Sequence, residues 1–267
     1  MAPKAADKAI VVPPKGGQWN FKQSRFEHLA PTPFRCVASG RSGSGKTSAL
    51  HSAVTNFYRG CFDSICIVAR TAKLDHSFIE LKDYAERHMK QDDKEEQFVF
   101  QDFGDEADLM KIFNDHALKV AKQKLERKQD HSKAPLSQKL WIFDDVSDSQ
   151  NLRTRNESVL NKLFTQGRHS GQSVWLNVHA LSALGTLLRK NASQLVIFKI
   201  SNAKEYDFLR EEYSHLVGKE EFDEIYKLAV NAKPYSFLTI LPHSQNENTM
   251  FLARFDERIS VDSDSEV

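Results

Sequence analysis

The chain has 267 residues, of which 37 are Lys or Arg and 36 are Asp or Glu, so its formal net charge is +1. This length suits one well-buried α/β domain with a small appendage better than two full domains. The near balance of charge indicates that any contact with nucleic acid must come from a local basic patch. No run approaches the roughly eighteen apolar residues of a membrane-spanning helix, so no membrane span is expected.

Both ends of the chain differ in composition from its middle. Residues 1–31 are predicted to form an N-terminal arm, since their first part mixes Lys, Ala and Pro and ends in a glycine pair. Residues 258–267 are predicted to be an acidic, disordered tail. Residues 32–257 would then form the folded domain. Three aromatic side chains are candidates for anchoring the exit of the arm: Trp19, Phe21 and Phe26.

The first motif lies between an apolar run at residues 34–38, which predicts a buried strand, and a predicted helix at residues 48–58. It matches the phosphate-binding pattern GxxxxGK[ST] in the strand, loop, helix order that such a loop requires. Its glycines let backbone N–H groups converge on phosphates, while Lys46 offsets their charge and Thr47 would hold Mg²⁺. The alternative is a glycine-rich turn without a ligand. The predicted nucleotide-binding residues are Gly40, Arg41, Ser42, Gly43, Ser44, Gly45, Lys46 and Thr47.

Two strands are predicted between this loop and the next motif, at residues 64–68 and 97–100, with helices at residues 77–90 and 107–128. Alternating strands and helices indicate an α/β fold with a parallel sheet. Two strands between the phosphate-binding loop and the second motif favour the branch of P-loop NTPases whose sheet has an additional strand.

The strongest basic patch covers the end of the predicted helix and the segment after it. Charged runs of this kind usually face solvent, and a contact with DNA phosphates is the functional alternative. Its basic residues are Lys119, Lys122, Lys124, Arg127, Lys128, Lys133 and Lys139.

The second motif is an apolar run at residues 140–143 that ends in two carboxylates, as expected of a buried strand that points at phosphates. Asp144 is predicted to bind Mg²⁺, because this small cation prefers carboxylates, phosphates and retained waters. Asp145 is the candidate to polarise the attacking water. Alternatively, the pair only opens the turn that follows.

The remaining pattern continues the alternation and supplies a further site candidate. A strand at residues 173–178 ends beside Asn177 and His179, either of which could sense the terminal phosphate. The other predicted helices are at residues 156–166, 181–189, 203–213 and 220–230. The other predicted strands are at residues 194–200, 236–241 and 249–253, the last two forming an antiparallel hairpin at the sheet edge.

Together these motifs resemble the poxvirus and giant-virus type of viral genome-packaging ATPase, a branch of the FtsK/HerA superfamily. Order and spacing fit over residues 32–241. The more specific part is the Gly-Arg-His block at residues 167–169, followed by a strand and an Arg-x-Asn segment at residues 189–191. The first two motifs are common to many ATPases.

The resemblance implies a RecA-like P-loop core with a mostly parallel sheet, flanking helices, ATP and Mg²⁺ as cofactors, and a homo-oligomeric ring around double-stranded DNA. It further implies a viral capsid or portal vertex as partner and a location in the infected cell, in the cytoplasm or virus factory, with the virion as a further site. Arg168 is the first candidate for an arginine finger acting on a neighbouring subunit, and Arg189 is the second. Either could instead be an ordinary surface or salt-bridged arginine.

The chain departs from the pattern of the family at two positions. Relatives usually place Glu where this chain has Asp145, and their strand-end sensor is commonly Gln, where this chain offers Asn177 or His179.

Two other functions stay open. A nucleotide-dependent switch or capsid-assembly factor would bind ATP without pumping DNA. A small-molecule kinase would need phosphate-clamping arginines in a lid. A GTPase is less favoured, because no Asn-Lys-x-Asp segment is present.

Overall fold

The computed structural model describes residues 20–92, 97–101, 106–131, 134–146, 152, 158–244 and 250–259. Within them one sheet contains nine strands. In chain order these are β1 (Arg35–Ser39), β2 (Ser64–Ala69), β3 (Val99–Phe100), β4 (Lys139–Asp144), β5 (Gln172–Val178), β6 (Gln194–Phe198), β7 (Phe237–Ile240), β8 (Phe251–Ala253) and β9 (Glu257–Arg258). Their order across the sheet is β3-β2-β4-β5-β1-β6-β7-β8-β9.

The first six strands pair in parallel. Strand β5 lies between β1 and β4, with Val37 opposite Leu176 and Trp141 opposite Val174. This confirms the predicted additional strand. Since helices cover both faces, β4 and β5 are buried along their whole length, which explains their continuous apolar runs. The carboxyl ends of β1, β4, β5 and β6 therefore meet at one edge of the sheet.

Beyond β6 the sheet becomes antiparallel. Strands β7 and β8 form the predicted hairpin, but they do not end the sheet, because β9 pairs with β8. The sheet therefore extends one short strand beyond the predicted hairpin. β9 has only two residues, Glu257 and Arg258, and both are exposed. Short, charged edge strands discourage pairing with other chains, and so short a strand leaves no periodic pattern in the sequence.

Seven α-helices connect the strands within the described residues: α1 (Lys46–Ser52), α2 (His76–Tyr84), α3 (Glu106–Asp130), α4 (Val159–Gln166), α5 (Thr186–Asn191), α6 (Ala203–Tyr213) and α7 (Lys219–Asn231). α1 and α2 continue as π-helical segments, Ala53–Phe57 and Ala85–Met89. Side-chain oxygens cap several helices: Asp75 Oδ1 accepts from Ser77 N at 2.8 Å, and Ser158 Oγ accepts from Asn161 N at 3.2 Å.

One predicted helix, at residues 181–189, is in fact two pieces. A 3₁₀ turn covers Leu181–Ala183, and α5 begins only at Thr186. Leu184 and Gly185 between them are extended. Gly185 N donates to Leu152 O at 2.7 Å, so a contact with a distant segment replaces an intrahelical bond.

The core has two layers, one on each face of the sheet. α1, α2 and the segment before β1 cover one face, with Leu50, Phe78 and Leu29 in its interior. Helices α3 to α7 cover the other, where Phe164 and Phe222 are fully buried. This three-layer arrangement confirms the predicted α/β class.

The described part of the predicted arm, residues 20–31, lies against this body. Phe21 forms a parallel bridge with Leu136, and the rings of Phe26 and Phe57 lie 5.2 Å apart, as expected for anchors. Trp19 and most of the predicted tail lie outside the described residues. Among the helices that are described, none combines the length and apolar character needed to span a bilayer.

Candidate nucleotide site

The phosphate-binding loop connects β1 to α1, as predicted. Gly43 and Gly45 have φ of 72° and 98°, in the left-handed region that favours glycine. Gly40 is constrained by space instead, since a Cβ there would lie 2.7 Å from Phe198 Cβ and from Ser44 Oγ. Two of the glycines are thus required by backbone conformation and the third by close packing.

Lys46 folds back over this loop. Its ammonium donates to Gly40 O at 2.6 Å and to Arg41 O at 3.0 Å. Burial lowers the pKa of Lys46, and the charges of Asp144 and Asp145 partly offset this effect. A buried cation held only by carbonyls beside two carboxylates is well placed to turn towards phosphate oxygens.

The end of β4 brings the second motif to the loop. Thr47 Oγ1 donates to Asp144 Oδ2 at 3.2 Å, so the two predicted Mg²⁺ ligands are in contact. Burial raises the pKa of the Asp144 carboxyl, and polar contacts with Asn177 and Thr47 and the charge on Lys46 oppose that rise. Burial is the larger effect, so these neighbours only partly compensate the carboxylate form for its lost hydration.

Asp145 is held in a left-handed conformation, with φ of 53°, which is uncommon outside glycine. Its backbone N donates to Asp144 Oδ1 at 2.9 Å. Its own carboxylate is half exposed, and Oδ1 lies 3.7 Å from His179 Nε2. The sharp turn thus points the two adjacent carboxylates in different directions, one to the loop and one to the open site.

Both sensor candidates lie at the site. Asn177 is buried, and its Oδ1 accepts from Trp175 Nε1 at 2.8 Å. Its Nδ2 lies beside the Asp144 carboxylate, without a full hydrogen bond to it or to another described residue. His179 is half exposed beside Asp145. A buried amide donor without a full hydrogen bond, next to Asp144, is a vacant position for an acceptor oxygen.

These groups line a cavity of about 800 Å³. Ser44 Oγ in the loop is also buried without a hydrogen bond within the described chain, but Ser44 lines a neighbouring cavity. The buried Asn177 amide, the Lys46 ammonium and the loop amides are the donor set that a triphosphate requires, so ATP fits. Mg²⁺ fits too, because it needs only one or two protein ligands besides phosphate and water, here Thr47 and Asp144.

Arg168 lies at the other end of the sheet. It directly precedes β5, whereas the nucleotide site lies at the carboxyl ends of the strands. A second cavity there, of about 880 Å³, is lined by Arg35, Arg168 and Lys190, by three histidines and by one carboxylate, that of Glu27. Burial lowers the pKa of Arg35, and the nearby charge of Arg168 lowers it further. Sequence reasoning missed Arg35, because it is an isolated charge at the start of an apolar strand.

Arg189 has contacts within its own chain. Its guanidinium lies over the ring of Phe208 at 4.9 Å and donates to Leu184 O, and its Nε lies 3.5 Å from Glu212 Oε1. These contacts fit the salt-bridged alternative. The neighbouring Lys190 lines the basic cavity instead.

The described part of the basic segment is mainly the second half of α3. Lys124 Nζ donates to His169 O at 2.6 Å, and Arg127 donates to Pro135 O at 2.5 Å. Lys139 is buried at the start of β4, and Lys133 lies outside the described residues. The segment therefore lies beside the Arg168 cavity and does not line the nucleotide cavity.

Comparison with known proteins gives one family match. The family model described as "Poxvirus A32 protein" matches residues 112–222, less than half of the chain. This part contains Asp144, Arg168 and Asn177 but not the phosphate-binding loop. No curated protein sequence matches the chain.

Solved structures give the fold. The genome packaging NTPase B204 from Sulfolobus turreted icosahedral virus 2, in complex with AMP, matches with a TM-score of 0.53 and 16% identity, over 80% of this chain and 94% of that one. The same protein in complex with ATP-gammaS gives a TM-score of 0.51 over the same shares. EssC (ATPases 2 and 3) from Geobacillus thermodenitrificans gives 0.52 at 13% identity, over 79% of this chain and 38% of that one. The P-loop fold is confirmed, and the resemblance to the poxvirus family is confirmed over residues 112–222.

Proposed function

We propose that this chain, whose central segment matches the Poxvirus A32 family model, is an Mg²⁺-dependent ATPase that drives double-stranded DNA into a viral capsid. The observation that carries the ATPase proposal is the contact of Thr47 with Asp144 beneath the phosphate-binding loop, with Asn177 from the inserted strand beside them. The family match and the fold shared with a genome packaging NTPase support the packaging role.

In this proposal each residue at the carboxyl edge has one task. Lys46 leaves the loop carbonyls and neutralises the terminal phosphates, while Thr47 and Asp144 hold Mg²⁺. The bound ion supplies charge neutralisation of the phosphates. Asp145 orients the attacking water and accepts its proton, and His179 lies close enough to hold that carboxylate in position. Asn177 Nδ2 senses the terminal phosphate, because this buried amide lies beside Asp144 and makes no full hydrogen bond within the described residues.

Arg168 serves a neighbouring subunit. It lies in the 3₁₀ turn Gly167–Ser170, just before β5, and the nucleotide site lies at the other end of that strand. Seven extended residues span about 20 Å, which exceeds the reach of an arginine side chain, so Arg168 cannot contact the phosphates bound by its own chain. Arginine fingers act across subunit interfaces in many P-loop enzymes. A ring of heterologous contacts would bring each basic cavity to the next subunit's nucleotide.

The DNA and capsid partners rest on the family resemblance. The net charge of +1 supplies no general attraction to DNA, so contact must come from local groups such as the exposed lysines of α3. Binding of this kind is insensitive to sequence and sensitive to salt. The motor would act in the infected cell, at the vertex of a preformed capsid.

Steady-state ATP hydrolysis, measured with and without long duplex DNA across a salt series and alongside mass in solution, tests the proposal. We expect hydrolysis that requires Mg²⁺, stimulation by DNA that declines with salt, and a ring-sized mass. ATP turnover by a monomer that is indifferent to DNA would support the kinase alternative. ATP binding almost without turnover would support the switch.

A further inference from the structure

An exposed aromatic ring borders the phosphate-binding loop. Tyr235 is 73% exposed, which is unusual for so large a ring, and it lines the nucleotide cavity. A Cβ built on Gly45 would lie 3.5 Å from Tyr235 Cβ and Cδ1, so the ring stands directly against the loop. The motifs that identify the phosphate site do not use this residue.

The backbone holds this ring in place through a strained turn. Tyr235 has φ of 61°, the left-handed region that bulky residues rarely adopt. Ser236 N donates to Lys233 O, and Lys233 N donates to Ser236 Oγ, both at 3.1 Å. Phe237 then begins β7 and packs on Phe198, with ring centroids 5.0 Å apart. The turn is therefore fixed from both sides while its aromatic side chain remains uncovered.

The order of the strands determines which way the nucleoside of a bound nucleotide points. Asp144 ends β4, Asp145 follows it and Asn177 lies near the end of β5, so the groups for the terminal phosphate and Mg²⁺ lie on one side of the loop. Tyr235 precedes β7 on the other side. A triphosphate whose terminal phosphate faces β4 and β5 directs its nucleoside towards Tyr235. A third cavity, of about 550 Å³, continues past the ring and is bounded by Phe198 and Pro234.

We propose that Tyr235 is the stacking platform for the base of the bound nucleotide, and that this subsite accepts adenine and guanine alike. The proposal rests on the proposed function, since it assumes that a nucleoside triphosphate occupies the loop. Stacking on a ring tolerates any base, because every base has a π-face. The amide of Asn231, which is suited to reading a base edge, is engaged: Oδ1 accepts from Lys199 Nζ at 2.8 Å, and Nδ2 donates to Lys227 O at 2.9 Å.

Two variants distinguish the contribution of the Tyr235 ring from that of the backbone turn that holds it. Tyr235→Asn removes the ring while suiting the left-handed backbone, since Asn adopts this region more easily than other non-glycine residues. Tyr235→Phe keeps the ring. Binding of Mg²⁺-ATP, Mg²⁺-GTP and Mg²⁺-tripolyphosphate to the full chain would be measured by calorimetry. We expect Tyr235→Asn to weaken ATP and GTP binding equally, by about 10-fold to 100-fold, and to leave tripolyphosphate binding unchanged. Tyr235→Phe should bind all three like the wild type.

Three results would contradict the proposal that Tyr235 stacks on the base. They are an ATP dissociation constant for Tyr235→Asn within twofold of wild type, an equal loss of ATP and tripolyphosphate binding, and wild-type ATP binding at least tenfold tighter than GTP binding. If the wild type binds neither ATP nor tripolyphosphate, the proposed function itself fails. A Tyr235→Trp variant gives a second readout, since its fluorescence should respond to ATP and GTP but not to tripolyphosphate.

Discussion

The two ends of the parallel sheet have opposite chemistry. At the carboxyl end, Lys46, Thr47 and Asp144 contact one another or the loop through short hydrogen bonds. At the amino end, Arg35 and Arg168 share a cavity, and Arg35 Nε has no partner within the described chain. One end thus has the groups of a phosphate site, and the other places three cations, Arg35, Arg168 and Lys190, around one described carboxylate, that of Glu27. A partly buried guanidinium nitrogen without a partner, such as Arg35 Nε, carries a desolvation cost, so we expect an anion from elsewhere to complete the amino end.

The largest expected effect is at the carboxyl end. Lys46→Ala removes the ammonium that contacts Gly40 O and Arg41 O, and with it the charge offered to the phosphates. We expect hydrolysis to fall to the level of a no-enzyme control and ATP binding to weaken. Lys204→Ala, at an exposed position on α6, is the matched control and should behave as wild type. Near-normal turnover by Lys46→Ala would exclude this loop as the active site.

The next effect tests the amino end. Arg168→Ala should slow hydrolysis in the assembled ring by about a thousandfold while ATP binding stays intact, because a finger acts on the transition state. The control is Arg87→Ala, an exposed arginine that pairs with Asp83 at 3.5 Å. Hydrolysis rate and ATP dissociation constant would be measured on the same samples. Full activity of Arg168→Ala would leave the basic cavity without a role in catalysis.

A smaller effect distinguishes the roles of Asp145 and His179 at the carboxyl end of the sheet. Asp145→Asn keeps the size of the side chain and the turn but removes the base, so we expect a loss in turnover of about a hundredfold or more. His179→Ala should have a weaker effect, because His179 contacts Asp145 at 3.7 Å and only positions it. Single-turnover hydrolysis would compare them. A larger loss for His179→Ala than for Asp145→Asn would reverse these two assignments.

The smallest effect concerns stability near the amino end. Burial, followed by the charges of Lys139 and Lys119, lowers the pKa of His116 from 6.5 to about 3, with Asp63 and a backbone bond to Ser137 opposing. Between those pH values the unfolded chain binds a proton that the folded chain does not. Stability is therefore complete above pH 6.5 and declines below it, by roughly 2 kcal/mol at pH 5 from this group. Urea unfolding at pH 7 and pH 5 measures the loss, and His116→Gln should reduce it. An identical pH dependence in both proteins would contradict this origin.

Local patterns predicted most of the fold and the carboxyl end of the sheet. The loop, Asp144 and Asn177 were found because each directly follows an apolar run, and parallel strands bring such positions together. The amino end was only partly predicted. Arg168 came from a family resemblance, and Arg35 was missed because its neighbours in the cavity come from the segments before β5, before β6 and after β7, far away in sequence.

The other omissions have the same cause. The break at Leu184 and Gly185 depends on a hydrogen bond to Leu152, and β9 is too short for any periodicity. Tyr235 carries no motif, and its importance comes from its position against Gly45. Sequence patterns record what is local to one strand or helix, whereas these features arise from contacts between distant segments.

The most direct test of the central claim, that one site is built from the carboxyl end of one subunit and the amino end of the next, is to mix two inactive variants. Lys46→Ala retains Arg168, and Arg168→Ala retains the loop. In a randomly mixed ring, about a quarter of the interfaces combine an intact loop with an intact arginine, so activity should return to about a quarter of the wild-type rate. A mixture no more active than either variant alone, although native mass measurement shows mixed rings, would contradict the shared site.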